Sequence, residues 1–154
     1  MAAEPKRVLI FDDEFDTMHY LKEHLEQTFG WTVELTAEAS LLRRLQVERF
    51  DLIIVDVMIR PEMEKAGGAI VKNVHFEGTN WQWTGKEFVR RLRLGEFSGP
   101  AGTPAQVPVV LLSAIADSLL TGTGNEFLGT VKIVEKPFRL GQLMRDIQAV
   151  LSPG

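Results

Sequence analysis

The amino-acid sequence predicts an α/β fold, a doubly wound five-stranded parallel sheet with helices on both faces. Two observations carry this. Five apolar segments rich in β-forming residues recur along the chain: RVLIF (7 to 11), WTVEL (31 to 35), DLIIVDV (51 to 57), VPVVLL (107 to 112) and TVKIV (130 to 134). Between them the apolar residues fall at helical spacing, and strands alternating with helices build right-handed βαβ units.

Four of the five segments are nearly continuous apolar runs, the pattern of strands buried on both faces of a parallel sheet. The second alternates Val33 and Leu35 with polar residues and reads as an edge strand. In the first helix Met18, Leu21, Leu25 and Phe29 share a stripe, and Gly30 supplies the stop. Leu41, Leu42 and Leu45 make a shorter stripe behind Ser40. A third helix opens with Thr84 and Glu87, spaced as in a capping box, and continues through Phe88, Val89 and Leu92. The last carries Leu140, Leu143, Met144, Ile147 and Leu151.

Three stretches break the rhythm. Residues 62 to 83 fill a connection that ordinarily takes a few residues, and the strand-prone segments on either side of EGTN predict a β-hairpin there. Such a hairpin is marginal unless it packs on the body of the domain or on a partner, with Ile70, Val74, Trp81 and Trp83 as candidate anchors. Residues 95 to 106 are a Gly/Pro-rich loop, and DSLLTGTGNEFLG makes a poor helix.

Composition bounds the function. The chain has 154 residues, 45% apolar and 25% charged, which suits a single soluble domain over residues 1 to 154. No apolar run approaches the length of a membrane span and MAAEPKR is not a secretory signal, so the expected location is cytoplasmic. A net charge of −4 with acids and bases interspersed argues against direct nucleic-acid binding and against a membrane partner. There are no cysteines, so any metal must be held by oxygen or imidazole, and oxygen favours Mg²⁺ or Ca²⁺.

Ligands of such a sheet bind outside the carboxyl ends of its strands. There the sequence puts Asp12, Asp13 and Glu14 after the first strand, Asp56 at the end of the third, Ser113 after the fourth, and Lys136 with Pro137 after the fifth. Three carboxylates brought together in a low-dielectric site need a cation or protons. A hard divalent ion resolves the repulsion and leaves one aspartate free as a nucleophile, faced by a hydroxyl and an ammonium that can bind phosphoryl oxygens. Each feature alone has a plainer explanation. An acidic pair after a strand is more often a cap or turn, and a lone lysine is ordinary surface. An unpartnered aspartate inside LIIVDV is harder to explain away, because burying it is costly. His19, His24 and His75 have no ligand spacing and read as surface or partner residues.

In register, RVLIFDDE, DLIIVDVMIRP, TGKEFVRRLR, VPVVLLSA and VEKPF resemble the receiver domains of two-component response regulators. The resemblance implies a flavodoxin-like strand order 2-1-3-4-5. It implies Mg²⁺ held by Asp12, Asp13, Asp56 and the backbone carbonyl of Met58, with Asp56 as phosphoacceptor. Ser113 and Lys136 would bind the phosphoryl group, and the Lys136–Pro137 bond would be cis. It also implies a sensor histidine kinase or phosphotransfer protein as donor and a downstream protein as target.

The chain departs from the family's pattern in places. Ile133 stands where receivers carry an aromatic switch residue, Arg60 adds a residue before Pro61, Thr84 replaces an Asp, and residues 62 to 83 are inserted beside the acceptor. These changes touch the switch more than the chemistry. A degenerate receiver acting as a phosphorylation-independent scaffold is the alternative they allow. A phosphatase of haloacid dehalogenase type wants an acid two residues beyond its nucleophile, where this chain has Met58, so an enzyme is not the expectation. The chain ends just after the last predicted helix, as a stand-alone regulator or a fragment cut at a domain boundary would.

Overall fold

Each of the five apolar segments forms a strand, and together they make one parallel sheet. The computed structural model describes residues 6 to 65, 67 to 114 and 131 to 151, so the expectation for DSLLTGTGNEFLG falls outside the described residues. The strands of the large sheet are β1 (Arg7–Phe11), β2 (Thr32–Thr36), β3 (Leu52–Asp56), β6 (Val109–Ser113) and β7 (Val131–Glu135), hydrogen-bonded in the order β2-β1-β3-β6-β7. This is the flavodoxin-like order 2-1-3-4-5. Two further strands, β4 (Glu62–Glu64) and β5 (Ile70–Lys72), pair only with each other. Among the described residues the helices are α1 (Phe15–Phe29), α2 (Leu41–Leu45), α3 (Thr84–Arg93) and α4 (Leu140–Leu151). None is long and apolar enough to cross a membrane.

Side chains alternate across a strand, so the three central strands feed two cores. Leu9, Phe11, Ile53, Val55, Val109 and Leu111 face α2 and α3. Val8, Ile10, Leu52, Ile54, Val110 and Leu112 face α1 and α4. All five residues of β3 and of β6 are buried, as their apolar runs require. The fifth segment differs: β7 is the other edge of the sheet, and only Val134 on it is buried. Ile133 packs, partly buried, against the core on the α3 side.

α1 ends as its sequence predicts, with Gly30 in the left-handed region at φ 69° and its N–H donating to the Glu26 carbonyl. The capping box expected at α3 is absent. The Thr84 hydroxyl donates instead to the Ile59 carbonyl at 3.4 Å, and Glu87 is taken by Arg90 and Arg91 at 2.7 Å each. Leu41 and Leu45 of α2 are buried, and the loop that precedes β6 meets the helix end, where the Thr103 N–H donates to the Leu45 carbonyl at 2.8 Å. There the buried Thr103 hydroxyl donates to the Glu48 carbonyl at 2.8 Å and accepts from the Phe50 N–H at 3.0 Å.

The insert does contain a hairpin, but not around EGTN. β4 and β5 are antiparallel, with Glu62 opposite Lys72 and joined to it by a 2.6 Å ion pair, and at the hairpin's end the Lys65 N–H donates to the Ala69 carbonyl at 2.8 Å. Gly67 and Gly68, at φ 91° and 84°, supply the left-handed backbone that this turn needs. EGTN makes only a tight turn, in which the Thr79 N–H donates to the Phe76 carbonyl, and Trp81–Trp83 is a single 3-10 turn leading into α3. The physical reason is that Val74 and Phe76 are used elsewhere. Both are buried in the α3-side core, Phe76 against Phe97 and under the Arg91 guanidinium, and neither is left to pair across EGTN. Of the predicted anchors Val74 is buried, Trp81 and Trp83 are half-buried, and Ile70 is exposed on the hairpin.

Candidate functional site

Parallel pairing brings the carboxyl ends of β1, β3, β6 and β7 to one edge of the sheet, since Phe11 pairs with Val55, Asp56 with Leu112 and Ser113 with Glu135. The residues at or just beyond those ends are the ones singled out by sequence. Asp12, Asp13, Asp56 and Ser113 are all buried, and Lys136 reaches into the same cluster.

Each carboxylate is oriented by a nearby N–H or cation. Asp12 Oδ1 accepts from the Glu14 N–H at 2.8 Å, and Asp56 Oδ1 from the Met58 N–H at 2.8 Å. Lys136 Nζ donates to Asp56 Oδ2 and lies 3.5 Å from Asp12 Oδ2. The Lys136 N–H donates to the Ser113 carbonyl at 2.7 Å, and the Lys136–Pro137 bond is cis. Asp13 Oδ2 accepts twice from Arg60, from Nε at 2.8 Å and from the backbone N–H at 3.1 Å. A cleft of about 230 Å³ opens onto Asp13, Asp56, Met58, Arg60, Trp81 and Lys136.

Electrostatics follow from this crowding. Burial, reinforced by the charge of Asp56 and opposed by Lys136, pushes the Asp12 carboxyl up to about 7. For Lys136 burial opposes the charge, but Asp12 and Asp56 outweigh it and the net direction is upward. Asp12 Oδ2 is buried and, among the described residues, accepts no hydrogen bond, the Lys136 ammonium standing 3.5 Å away. Such an orphaned oxygen, beside two further carboxylates, is the donor chemistry that a hard divalent cation satisfies. The residues fit the ion in kind. Their present arrangement is not that of a ligand cluster, and among the described residues no three acidic, histidine or cysteine side chains form one. Asp13 is turned to Arg60 and Asp56 Oδ2 to Lys136, which separates the oxygens.

Two residues at the site were not predicted by sequence to act there. Arg60 was visible only as an extra residue before Pro61, and Trp81 only as an anchor of the insert. A cation placed between an acidic strand end and a proline was the available signal for Arg60. His19 pairs with Glu23 at 2.9 Å on the exposed face of α1, away from the cluster.

No protein-family model matches the chain. The heme response regulator HssR of Staphylococcus haemolyticus is 26% identical over 94% of this chain, which spans about half (51%) of that relative's length. Among solved structures, the chemotaxis protein CheY4 of Vibrio cholerae superposes with a TM-score of 0.64 at 24% identity, covering 95% of this chain and 98% of that one. The receiver domain of the sensor histidine kinase PA1611 from Pseudomonas aeruginosa PAO1 superposes at 0.57 with 18% identity, covering 96% and 98% of the two chains, and carries a magnesium ion in its active site cleft. The fold is a flavodoxin-like five-stranded parallel sheet with helices on both faces. Specifically, the chain has the fold of the receiver domains of response regulators.

Proposed function

We propose that this chain is a phosphoacceptor receiver domain, one domain over its whole length, in which Asp56 takes a phosphoryl group and a protein partner reads the result. The observation that carries the reading is the setting of Asp56. One carboxylate oxygen is fixed by the Met58 N–H, the other faces the Lys136 ammonium, and Asp12 and Asp13 stand beside it.

In the reaction an Asp56 oxygen forms a bond to phosphorus as the bond from phosphorus to the donor's nitrogen or oxygen breaks, and the donor leaves with the electron pair. The Met58 N–H holds the carboxylate in a single orientation, which raises its effective concentration toward an in-line donor. Lys136 neutralises negative charge on the transferred group, and Ser113, at the end of β6, supplies a hydroxyl for one of its oxygens. The oxygens of Asp12, Asp13 and Asp56 with the Met58 carbonyl would hold Mg²⁺. When bound, the ion supplies charge neutralisation between the carboxylates and the phosphoryl oxygens. The magnesium in the PA1611 receiver's cleft and the orphaned Asp12 Oδ2 both support that assignment. A sensor histidine kinase or phosphotransfer protein in the cytoplasm is the donor class this chemistry fits, and the downstream target is a protein.

Incubation with acetyl phosphate and Mg²⁺, followed by intact mass, tests the reading. The expected result is one phosphoryl adduct that is lost in Asp56→Asn and without Mg²⁺. An unmodified wild-type chain overturns it in favour of the scaffold reading.

A further inference from the structure

We propose that Arg60 is an internal competitor for the divalent cation: its guanidinium occupies Oδ2 of Asp13 on the cleft side, and its charge opposes a metal at that carboxylate until the side chain swings away. The inference deepens the receiver reading and rests on it.

Geometry comes first. Asp13 has a nearly buried side chain, 4% exposed, whereas Arg60 is 58% exposed, so the guanidinium approaches the carboxylate from the same cleft an ion must enter. Both Arg60 donors converge on one oxygen, Asp13 Oδ2. With the backbone N–H on one lone-pair direction of Oδ2 and Nε on the other, a metal at Oδ2 needs the direction that Nε uses, and a metal at Oδ1 still stands close to the guanidinium charge. Charge points the same way, because a guanidinium at hydrogen-bond distance from a ligand oxygen stands within a few ångströms of any dication bound there and repels it.

The backbone under Arg60 is held on several sides, so release is a side-chain event. The Arg60 carbonyl accepts from Asn73 Nδ2 at 2.9 Å, and the Pro61 carbonyl accepts from the Asn73 N–H at 2.9 Å. The Ile59 N–H donates to the Trp81 carbonyl at 3.3 Å, and the Ile59 carbonyl accepts from the Thr84 hydroxyl. Asn73, Trp81 and Thr84 all lie in or beside the insert. The insert thus fixes where the Arg60 Cα sits, and the long, exposed side chain can rotate out to water while the backbone N–H keeps its bond to Asp13. Metal affinity is thereby set below that of the same carboxylates without the arginine, and loading of the site depends on the free cation concentration.

The test is Mg²⁺ titration of the full chain by isothermal calorimetry, without any phosphodonor, for wild type, Arg60→Gln and Arg60→Lys. Arg60→Gln is expected to bind on the order of three- to tenfold more tightly, since it removes a partly screened charge and its bond to a ligand oxygen. Arg60→Lys should fall between. In an Asp13→Asn background the gain from Arg60→Gln should shrink, because the contested carboxylate is gone. An association constant for Arg60→Gln equal to or below that of a metal-binding wild type overturns the competitor role and leaves the receiver reading standing. If neither wild type nor Arg60→Gln binds Mg²⁺ at millimolar concentration, both readings fall.

Discussion

Asn73 donates its side-chain amide to the backbone carbonyl of Arg60 at 2.9 Å, so a buried residue of the insert holds the turn whose cation sits on Asp13. Asn73→Ala removes that donor at a site with little access to water. The expected cost is about 1 to 3 kcal/mol, read as a lower urea midpoint at unchanged slope. A midpoint equal to wild type would mean that the bond contributes nothing net.

Gly85 marks the closest approach of α3 to the acceptor strand. A methyl group at this position would lie 2.0 Å from the Asp56 carbonyl oxygen and 2.8 Å from the Val57 Cα, and the Gly85 N–H donates to the Val57 carbonyl at 2.8 Å. Backbone on both sides cannot yield, so Gly85→Ala should cost roughly 3 kcal/mol or more. Amide chemical shifts at Asp56 and Val57 should move with it. A variant with wild-type stability and unmoved shifts would contradict this packing.

Phe76 is the residue that ties the insert to the α3-side core, 5% exposed, with its ring 6.4 Å from that of Phe97 and beneath the Arg91 guanidinium. Phe76→Ala should destabilise the chain by about 3 kcal/mol. Limited proteolysis should then cut first between residues 65 and 80. Retained stability with no new cleavage would show the insert to be held by other contacts.

Glu48 lies between Arg44 and Arg7, which bond it at 2.6 and 3.0 Å. The Arg44 bond first, and the Arg7 bond second, lower its carboxyl from 4.5 to about 2. A folded value below the unfolded one means that the contribution is fully present above about pH 4.5 and is lost as the pH falls through about 2. The pairs face solvent, so the worth stays below about 1 kcal/mol. Denaturation of wild type and Glu48→Gln should give a constant gap between pH 5 and 7 that closes toward pH 2, and a gap that widens with acid would reverse the sign.

The central strands and the residues at their ends were legible in the sequence because a strand buried on both faces leaves an unbroken apolar run, as DLIIVDV does. That Asp56 interrupts this run and Lys136 follows another was enough to place the cluster. The strand order came with the resemblance. The hairpin was misplaced because EGTN carries turn residues, but where Val74 and Phe76 would be buried is a tertiary fact that periodicity does not contain. Thr84 and Glu87 have the spacing of a capping box, yet the Ile59 carbonyl and two arginines compete for them more favourably. Arg60 escaped for a similar reason: its partner, Asp13, is 47 positions away.

The sheet also acts as a partition. Phe88 and Phe11 meet edge to face at 5.0 Å on one side of it, while Met18, Leu143 and Ile147 belong to the other side, with a layer of hydrogen-bonded backbone in between. The buried residues of the insert, Val74 and Phe76, join the first compartment. Energetic coupling between side chains decays when they share no neighbour, so losses from truncations in opposite compartments should add, whereas pairs within the insert's compartment should deviate from additivity. Changes at the insert's buried anchors, Val74 and Phe76, are therefore separated from the apolar core under α1 and α4, and the insert meets α1 at the strand-end cleft that Met63 shares with Phe15, Asp16 and Thr17.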